Sequence, residues 1–445
     1  MTRPCKPLPV LDPYLPGNGN FGYRVSRYEL TLEYRVESNR LNGTVAITAV
    51  TLASLKSFSL DLSDALAVSK VEVNGRRPAK YRCNEGKLHI ILDSALPAGA
   101  VLAVVVRYGG NPKPIESIWG PIGFEELTEG ALVAGQPNGA ASWFPCDDHP
   151  SSKASYRIQI STDSPYYVVA NGKLISRKAR AAQTTWTFEL PEPTSPYLIT
   201  LQIGRYQQVS LPEAPNVPVP MQAALPARLR ANFEHDFGRQ PLMMSTFIEL
   251  FGDYPLSSGY TVVIADDDLE IPLEAQGISV FGANHCTGTR RSERLIAHEL
   301  AHQWFGNSVT ARRWRDIWLH EGFACYAEWL WSQAAGGRST AELARYYYRK
   351  LAGLPQDLLL SDPGPADMFD DRIYKRGALT LHALRLSIGD VNFFTLLRDW
   401  TTRYRHSTAV TDDFTSLAAN YCEHSLRGLW QAWLYSPELP DWPGS

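Results

Sequence analysis

The sequence contains no run of about 18 apolar residues, the length that a membrane-crossing helix requires. Its N-terminal stretch also lacks the apolar core of a signal peptide. Neither sign of charge dominates, because 43 basic and 46 acidic side chains leave a formal net charge of -3. Such a balance favours neither nucleic acid nor an anionic membrane surface as a partner. We therefore expect a cytoplasmic protein.

Paired cysteines and internal repeats are missing as well. The six cysteines are scattered, without the spacing of a zinc knuckle or a redox motif, at Cys5, Cys83, Cys146, Cys286, Cys325 and Cys422. Reduced and mostly buried thiols are the expectation. The lack of a repeat argues against a solenoid, and a length of 445 residues favours two or three domains.

Two regions differ in the period of their apolar residues. From Tyr28 to about Gly204, short runs alternate with period two between turn residues, which predicts an all-β domain. A proline-rich interval at 212–226 then argues against helix interiors and central strands. Beyond it the period becomes about 3.6, and one strand is expected at 260–265. The predicted helices cover 227–252, 292–305, 317–335, 341–351, 377–388 and 391–404.

The predicted fold class is therefore a multidomain α+β protein. An N-terminal β domain covers residues 1–206, and a mainly helical domain covers residues 207–445.

The stretch SERLIAHELAHQWFGN, residues 292–307, contains two histidines four residues apart. On a helix His298 and His302 share one face, so both imidazoles can point at a single metal ion. Glu299 points about 100° away from His298, which places it as a base rather than as a ligand. The alternative is a surface helix whose histidines and glutamate are solvated.

A catalytic zinc ion normally has three protein ligands and one open position, so a third ligand is expected downstream. Glu321 follows His302 with eighteen residues between them and begins a second predicted helix, WLHEGFACYAEWLW. Glu328 lies seven residues later on roughly the same face, where it can fix a ligating histidine ring by a hydrogen bond. An ordinary exposed glutamate is the alternative for Glu328. The histidines without such companions are expected to be structural or exposed: His285, His320, His382, His406 and His424.

These motifs resemble the M1 zinc aminopeptidases, or gluzincins. The segment LHEGFACYAE at 319–328 is similar to the family's downstream glutamate motif, and IPLEAQG at 271–277 stands where its exopeptidase motif is expected. QPNGAASWFPCDDHPSSKASY at 136–156 and RIYKRGALTLHALR at 372–385 resemble two further family segments. The resemblance implies a saddle-like β domain followed by a thermolysin-like peptidase domain, in a short two-domain form that lacks the family's C-terminal domains.

The resemblance also implies the cofactor and the reaction. One Zn²⁺ per chain would be held by His298, His302 and Glu321. The expected activity is a zinc-dependent aminopeptidase that hydrolyses the N-terminal bond of peptides, by attack of a zinc-bound water that Glu299 activates. Peptides with a free N-terminus are the expected partners.

Three further residues take roles from the resemblance. Glu274 would bind the α-ammonium group of the substrate, Gln136 would add a neutral hydrogen bond there or at the first side-chain pocket, and Tyr374 would donate to the transition-state oxyanion. Without the resemblance, Tyr374 is a packing tyrosine before a helix. Ile271 and Pro272 replace the glycines usual in the exopeptidase motif, and proline cannot donate a backbone hydrogen bond.

Two other functions compete with this hypothesis. A zinc endopeptidase is favoured if Pro272 distorts the amine site, and a non-catalytic binding module is known among relatives that have lost their zinc ligands. The acidic run at 266–270, which precedes Glu274, is expected to be a solvated loop.

Overall fold

The computed structural model describes residues 11–442 and divides into two compact units, Met1–Arg205 and Tyr206–Ser445. We call these the first and the second unit. Within residues 11–442 no helix is both long enough and apolar enough to cross a bilayer. Cys5 lies outside the described residues, and the other five cysteines are free thiols, of which Cys146, Cys286 and Cys325 are buried.

The first unit is built from strands, which confirms the prediction of a β-rich N-terminal domain. They are β1 (Tyr23–Arg35), β2 (Arg40–Thr51), β3 (Leu55–Asp61), β4 (Leu66–Val73), β5 (Lys80–Asn84), β6 (Lys87–Leu96), β7 (Val101–Gly110), β8 (Ile115–Ser117), β9 (Gly120–Leu127), β10 (Gly130–Ala134), β11 (Ala154–Asp163), β12 (Tyr167–Ala170), β13 (Lys173–Arg180), β14 (Gln183–Thr194) and β15 (Leu201–Gly204).

Three sheets share the core of the first unit. A seven-stranded sheet has the order β13-β14-β11-β1-β2-β7-β4, a five-stranded sheet has the order β12-β15-β10-β9-β8, and β3-β6-β5 form a third. Along β1 the buried residues alternate with exposed ones, as period two requires. Tyr28 and Tyr156 stack at 5.0 Å between ring centroids in this core, and the edge of Phe144 meets Tyr28 at 5.8 Å.

The second unit is mainly helical, as predicted, and also contains strands. Its elements are β16 (Gln207–Ser210), β17 (Met221–Leu225), α1 (Arg230–Phe237), α2 (Gln240–Phe251), β18 (Tyr260–Ile264), β19 (Leu273–Ala275), β20 (Ile278–Phe281), α3 (Glu293–Ala301), β21 (Val309–Ala311), α4 (Trp318–Ala334), α5 (Thr340–Ala352), α6 (Asp371–Ile388), α7 (Asp390–Arg403), β22 (Ser407–Ala409), α8 (Thr411–Ala418) and α9 (Arg427–Leu434).

The prediction of a single strand in the second unit was wrong. Five strands form one sheet in the order β16-β17-β18-β20-β19, and β21 pairs with β22. Strand β17 even lies inside the proline-rich interval and pairs on both sides. It does so because Pro220 and Pro226 flank the strand, so no residue within it lacks a backbone N–H.

Three predicted helices have other bounds in the structure. Helix α3 ends at Ala301 instead of 305, because Gln303 N and Trp304 N donate to the carbonyl oxygens three residues back, at Leu300 and Ala301. Residues 227–252 form α1 and α2 rather than one helix, because Pro241 is tolerated only in the first turn of α2. Helix α6 begins at Asp371 instead of 377, where the side chain of Asp370 accepts a hydrogen bond from Arg372 N at 2.8 Å. Tyr374 therefore lies inside the first turns of α6 and not before the helix.

Helices α4 and α6 approach closely because glycines face each other. A Cβ atom built on Gly377 would lie 2.6 Å from the Cα atom of Gly322, and one on Gly322 would lie 2.8 Å from the Cα atom of Gly377. Neither position accepts a side chain without separating the helices. This contact brings Tyr374 on α6 close to Glu321 on α4.

Candidate metal centre

Helix α3 is held by its apolar face. Ile296 and Leu300 are fully buried, and beyond the helix end Phe305 meets the rings of Phe251 at 4.9 Å and of Phe323 at 4.7 Å between centroids. The burial of such side chains stabilises the helix position by about 1.5 to 3 kcal/mol each. This packing leaves His298 and His302 directed at α4.

Three predicted ligands converge at one point. The ligand atoms of His298, His302 and Glu321 all lie within 4.8 Å of one another, and all three residues are buried. Glu321 Oε2 lies 3.3 Å from His298 Nε2 and 3.5 Å from His302 Nε2. Tetrahedral ligands at the usual zinc distance of about 2.05 Å are about 3.3 Å apart, so the spacing and the donor set of two nitrogens and one oxygen fit zinc.

The outer nitrogen of each histidine has its own acceptor. His298 Nδ1 lies 2.8 Å from Glu328 Oε1, and His302 Nδ1 lies 3.0 Å from the carbonyl oxygen of Phe305. Each acceptor favours the tautomer with hydrogen on Nδ1, which leaves the Nε2 lone pair toward the metal position. The structure thus places Glu328 where the sequence predicted it, with its side chain buried rather than exposed.

Arg294 holds Glu328 from the other side. Its Nη1 atom donates to both carboxylate oxygens of Glu328, at 2.9 and 3.0 Å. Arg294 precedes His298 by four residues and so shares its face of α3. Sequence reasoning missed this residue, although the spacing was a usable signal.

Glu299 and Glu274 lie together beside the histidines. Ligand atoms of Glu274, Glu299 and His302 fall within 4.8 Å of one another, although Glu274 comes from the edge strand β19 and Glu299 from α3. Glu299 is buried, and its Oε2 atom has no hydrogen-bond partner among residues 11–442. Glu274 is only partly buried as a residue.

Tyr374 reaches the same place from α6. Its ring lies 5.9 Å from that of His298, with an interplanar angle of 23°. Burial, together with the negative charges of Glu321 and Glu274, raises the pKa of Tyr374 well above its ordinary value, so the phenol keeps its proton. A protonated phenol is a hydrogen-bond donor.

The acidic and basic groups of the site have shifted pKa values. Burial raises the pKa of Glu299 to about 7, and the nearby charge of His298 opposes this rise. Burial alone would lower the pKa of His298, but its hydrogen bonds to Glu321 and Glu328 raise it to about 10. Burial lowers the pKa of His302 to about 4. Burial also raises the pKa of Glu274, with the charges of Glu321 and Glu299 acting in the same direction.

The remaining predicted residues differ in burial. Gln136 belongs to the first unit, is partly buried, and its amide nitrogen has no hydrogen-bond partner among the described residues. In the acidic run, Asp266, Asp268 and Glu270 are exposed. His320 is fully buried and its Nε2 atom accepts from Ala311 N at 2.6 Å. The other unaccompanied histidines are buried at 285 and 382, half-buried at 406 and exposed at 424.

Comparison with known proteins agrees with this geometry. The model of the Peptidase M1 N-terminal domain matches residues 25–198, and that of the Peptidase family M1 domain matches residues 250–433. Between them the two models cover well over half of the chain.

Curated relatives and solved structures carry related names. The chain is 22% identical to a leucyl aminopeptidase of Saccharolobus solfataricus over 94% of its length and 54% of the relative's, and 26% identical to leucine aminopeptidase 2 of Coccidioides immitis over 100% of its length and 75% of the relative's. The chain thus spans about half the length of the former. A mutant M1 zinc metallopeptidase from Deinococcus radiodurans, bound to the substrate Tyr-Ser-Ala, is 28% identical with a TM-score of 0.89, covering 98% of this chain and 99% of that one.

A two-domain M1 zinc metallopeptidase bound to L-arginine matches equally well, with 28% identity and a TM-score of 0.89. Taken with the two family models and the converging histidines and glutamate, these likenesses lead to one conclusion: this chain belongs to the M1 family of zinc metallopeptidases.

Proposed function

We propose that this protein is a zinc-dependent aminopeptidase that hydrolyses the N-terminal peptide bond of peptides. The observation that carries the proposal is the position of Glu274, whose carboxylate lies within 4.8 Å of ligand atoms of Glu299 and His302. A carboxylate beside a metal site can bind an α-ammonium group by charge-assisted hydrogen bonds. It also disfavours internal peptide bonds, which have no positive charge to offer.

The metal residues have a defined part in this proposal. His298, His302 and Glu321 would hold the zinc ion, with Glu328 and the Phe305 carbonyl fixing the two rings. When bound, zinc polarises a carbonyl and brings the pKa of water toward about 7.

The chain's own groups then move the protons. Glu299 would take a proton from the attacking water and deliver it to the leaving amine. Its Oε2 atom, without a protein partner among the described residues, is available for that exchange. Tyr374 would donate its phenolic proton in a hydrogen bond to the oxyanion of the tetrahedral intermediate. Gln136, whose amide nitrogen is likewise unpaired within residues 11–442, would add a neutral hydrogen bond to the substrate.

Blocking the substrate amine tests the proposal. We expect kcat/KM for an aminoacyl fluorogenic substrate to fall about a hundredfold when its amine is acetylated, because a charge-assisted interaction with Glu274 is lost. A zinc chelator should abolish both activities, and added zinc should restore them. Equal rates on free and acetylated substrates would instead favour an endopeptidase. The cytoplasmic location, and the expectation of neither nucleic-acid nor membrane partners, stay predictions from the sequence.

A further inference from the structure

The turn that follows Glu274 is fastened to the metal-binding segment. Residues 276 and 277 join β19 to β20, and Ala275 pairs with Ile278 across the turn. Gly277 has a φ of +76°, a conformation that favours glycine. Strand β19 is only three residues long and lies at the edge of its sheet, so few ladder hydrogen bonds hold Glu274 in place.

Two buried amide side chains restrain the turn after Glu274 by hydrogen bonds. Gln303 Oε1 accepts from Gly277 N at 2.8 Å, and Gln303 Nε2 donates to the carbonyl oxygen of Ala275 at 3.2 Å. Asn307 Nδ2 donates to the same carbonyl oxygen at 2.9 Å. Gln303 and Asn307 are both fully buried. The side chain of Gln303 thus pairs with the turn as a neighbouring strand would.

The same chain segment carries a metal ligand. Gln303 directly follows His302, and Asn307 N donates to the carbonyl oxygen of His302 at 3.0 Å. A second, weaker tie lies nearby, because Ser279 Oγ on β20 donates to the carbonyl oxygen of Glu299 at 3.4 Å. The distance between the metal ligands and Glu274 therefore depends on contacts made by one short stretch of chain.

We propose that Gln303 and Asn307 are positioning residues that set the separation between the Glu274 carboxylate and the metal site, and with it the selectivity for a free amine. This inference rests on the proposed function. Gln303 and Asn307 touch neither substrate nor metal in this role. They act through the backbone of Ala275 and Gly277, so their removal should affect amine recognition more than metal binding.

The first unit offers a matched control. Asn171 is fully buried, its Nδ2 atom donates to the carbonyl oxygen of Leu198 at 2.9 Å, and its Oδ1 atom accepts from Thr200 N at 2.6 Å. Like Gln303, it bridges a carbonyl and an N–H group two residues apart. The substitutions Gln303→Met and Asn171→Leu therefore remove the same kind of clamp at two places.

Binding to a zinc-loaded protein that cannot turn over gives the cleanest readout. In a Glu299→Gln background, the Kd of a tripeptide and of its N-acetylated form would be measured by calorimetry, with zinc content and melting temperature recorded for each variant. We expect Gln303→Met to reduce the preference for the free amine at least tenfold, with zinc still at one per chain. Asn171→Leu should leave that preference unchanged. Asn307→Leu removes one side-chain bond to the turn, whereas Gln303→Met removes two, so it should give a smaller loss.

The results of this experiment distinguish failure of the positioning role from failure of the proposed function. A folded, zinc-loaded Gln303→Met or Asn307→Leu protein that keeps the full preference overturns the positioning role but not the proposed function. If Gln303→Met does not fold, the amine preference of Asn307→Leu decides whether the positioning role holds. A background protein that binds both peptides equally overturns the proposed function, and the inference falls with it. An equal loss in Asn171→Leu would mean that general destabilisation, and not the turn after Glu274, is responsible.

Discussion

Each unit buries a cluster of carboxylates, and the two clusters differ in how the protein's own groups pair with the carboxylate oxygens. In the first unit, Asp61 accepts hydrogen bonds from Gly19 N at 3.2 Å and Asp148 N at 2.9 Å, and pairs with Lys87. Asp148 accepts from Ala141 N at 3.2 Å, and Asp147 accepts from Ser152 Oγ at 2.6 Å. Donors of the same chain therefore pair with these carboxylates.

In the second unit the acids point at a common space. Glu321 faces two histidine nitrogens, Glu274 lies partly buried on an edge strand, and one oxygen of Glu299 has no partner in the described part of the chain. Among residues 11–442, the groups of three or more convergent ligand-type side chains both lie in this unit. Burial alone therefore does not distinguish the two clusters, whereas unpaired hydrogen-bonding capacity directed at one point does.

The substitution Glu299→Gln, in the second cluster, should have the largest effect on activity. We expect kcat to fall by about a hundredfold to ten thousandfold, because the amide cannot accept the proton of the attacking water. Zinc content, measured by elemental analysis, should stay at one per chain. The counterpart in the first unit, Asp148→Asn, should alter the melting temperature and leave the kcat of the folded protein unchanged. A Glu299→Gln enzyme with ordinary kcat would refute its role as the base.

The substitution Tyr374→Phe should have the next largest effect. Loss of the phenolic donor should lower kcat by about a hundredfold to a thousandfold, with little change in KM, because the hydrogen bond forms only in the transition state. Tyr156→Phe is the matched control. Tyr156 is fully buried in the first unit, and its hydroxyl has no hydrogen-bond partner among the described residues. A purely structural role for Tyr374 would show as a changed melting temperature with kcat preserved.

Sequence reasoning identified the site residues whose positions are set by helices. His298 lies on α3, His302 caps the C-terminus of that helix with helical backbone angles, and Glu321 and Glu328 lie on α4. On a helix, side chains three, four or seven positions apart share a face whatever the tertiary structure. The family resemblance located Glu274, but no periodicity could reveal its strand, because three residues are too few to establish an alternation. The same reason explains the missed strands β16 and β20, each of four residues.

Contacts between distant segments were beyond sequence reasoning. The partners of Gln303 lie 26 and 28 positions away in a turn, and nothing in the local pattern identifies them. The acids of the first unit come together across 87 positions, from Asp148 N to Asp61. Sequence reasoning assigned no role to Asp61 or Asp148, since a buried acid and a solvated one look identical until the chain has folded.

Weakening the interaction between Glu328 and His298 should lower the zinc affinity moderately. Glu328→Gln keeps an acceptor for His298 Nδ1 but removes the charge that also binds Arg294, and we expect zinc affinity to fall about tenfold to a hundredfold. Competition with a chelator of known affinity measures this. Glu234→Gln, which removes an exposed ion pair with Arg230 on α1, is the control and should leave zinc affinity unchanged. Equal zinc affinities in all three proteins would show that Glu328 does not tune the metal site.

The smallest expected effect concerns the pH dependence of the first unit. Burial raises the pKa of Asp147 from 3.8 to about 7, opposed by the hydrogen bond from Ser152 and reinforced by the charge of Asp61. Between these two pKa values the folded state holds a proton that the unfolded state has lost, so stability falls as pH rises and levels off above pH 7. Asp147→Asn cannot titrate. From pH 6 to pH 8 the native protein should therefore lose on the order of 1 kcal/mol of unfolding free energy relative to this variant.

Urea unfolding of both proteins at the two pH values measures this difference, and the contribution of the metal site cancels in the comparison because both proteins carry it. Asp93→Asn, at an exposed position of the same unit, should run parallel to the native protein. If Asp147→Asn also ran parallel, Asp147 would already be ionised at pH 6 in the folded state, and its contacts with Ser152 and Asn20 would outweigh its burial. The first unit would then hold Asp147 as a charge, as the second unit must hold Glu321, and the contrast between these two acids would rest on geometry alone.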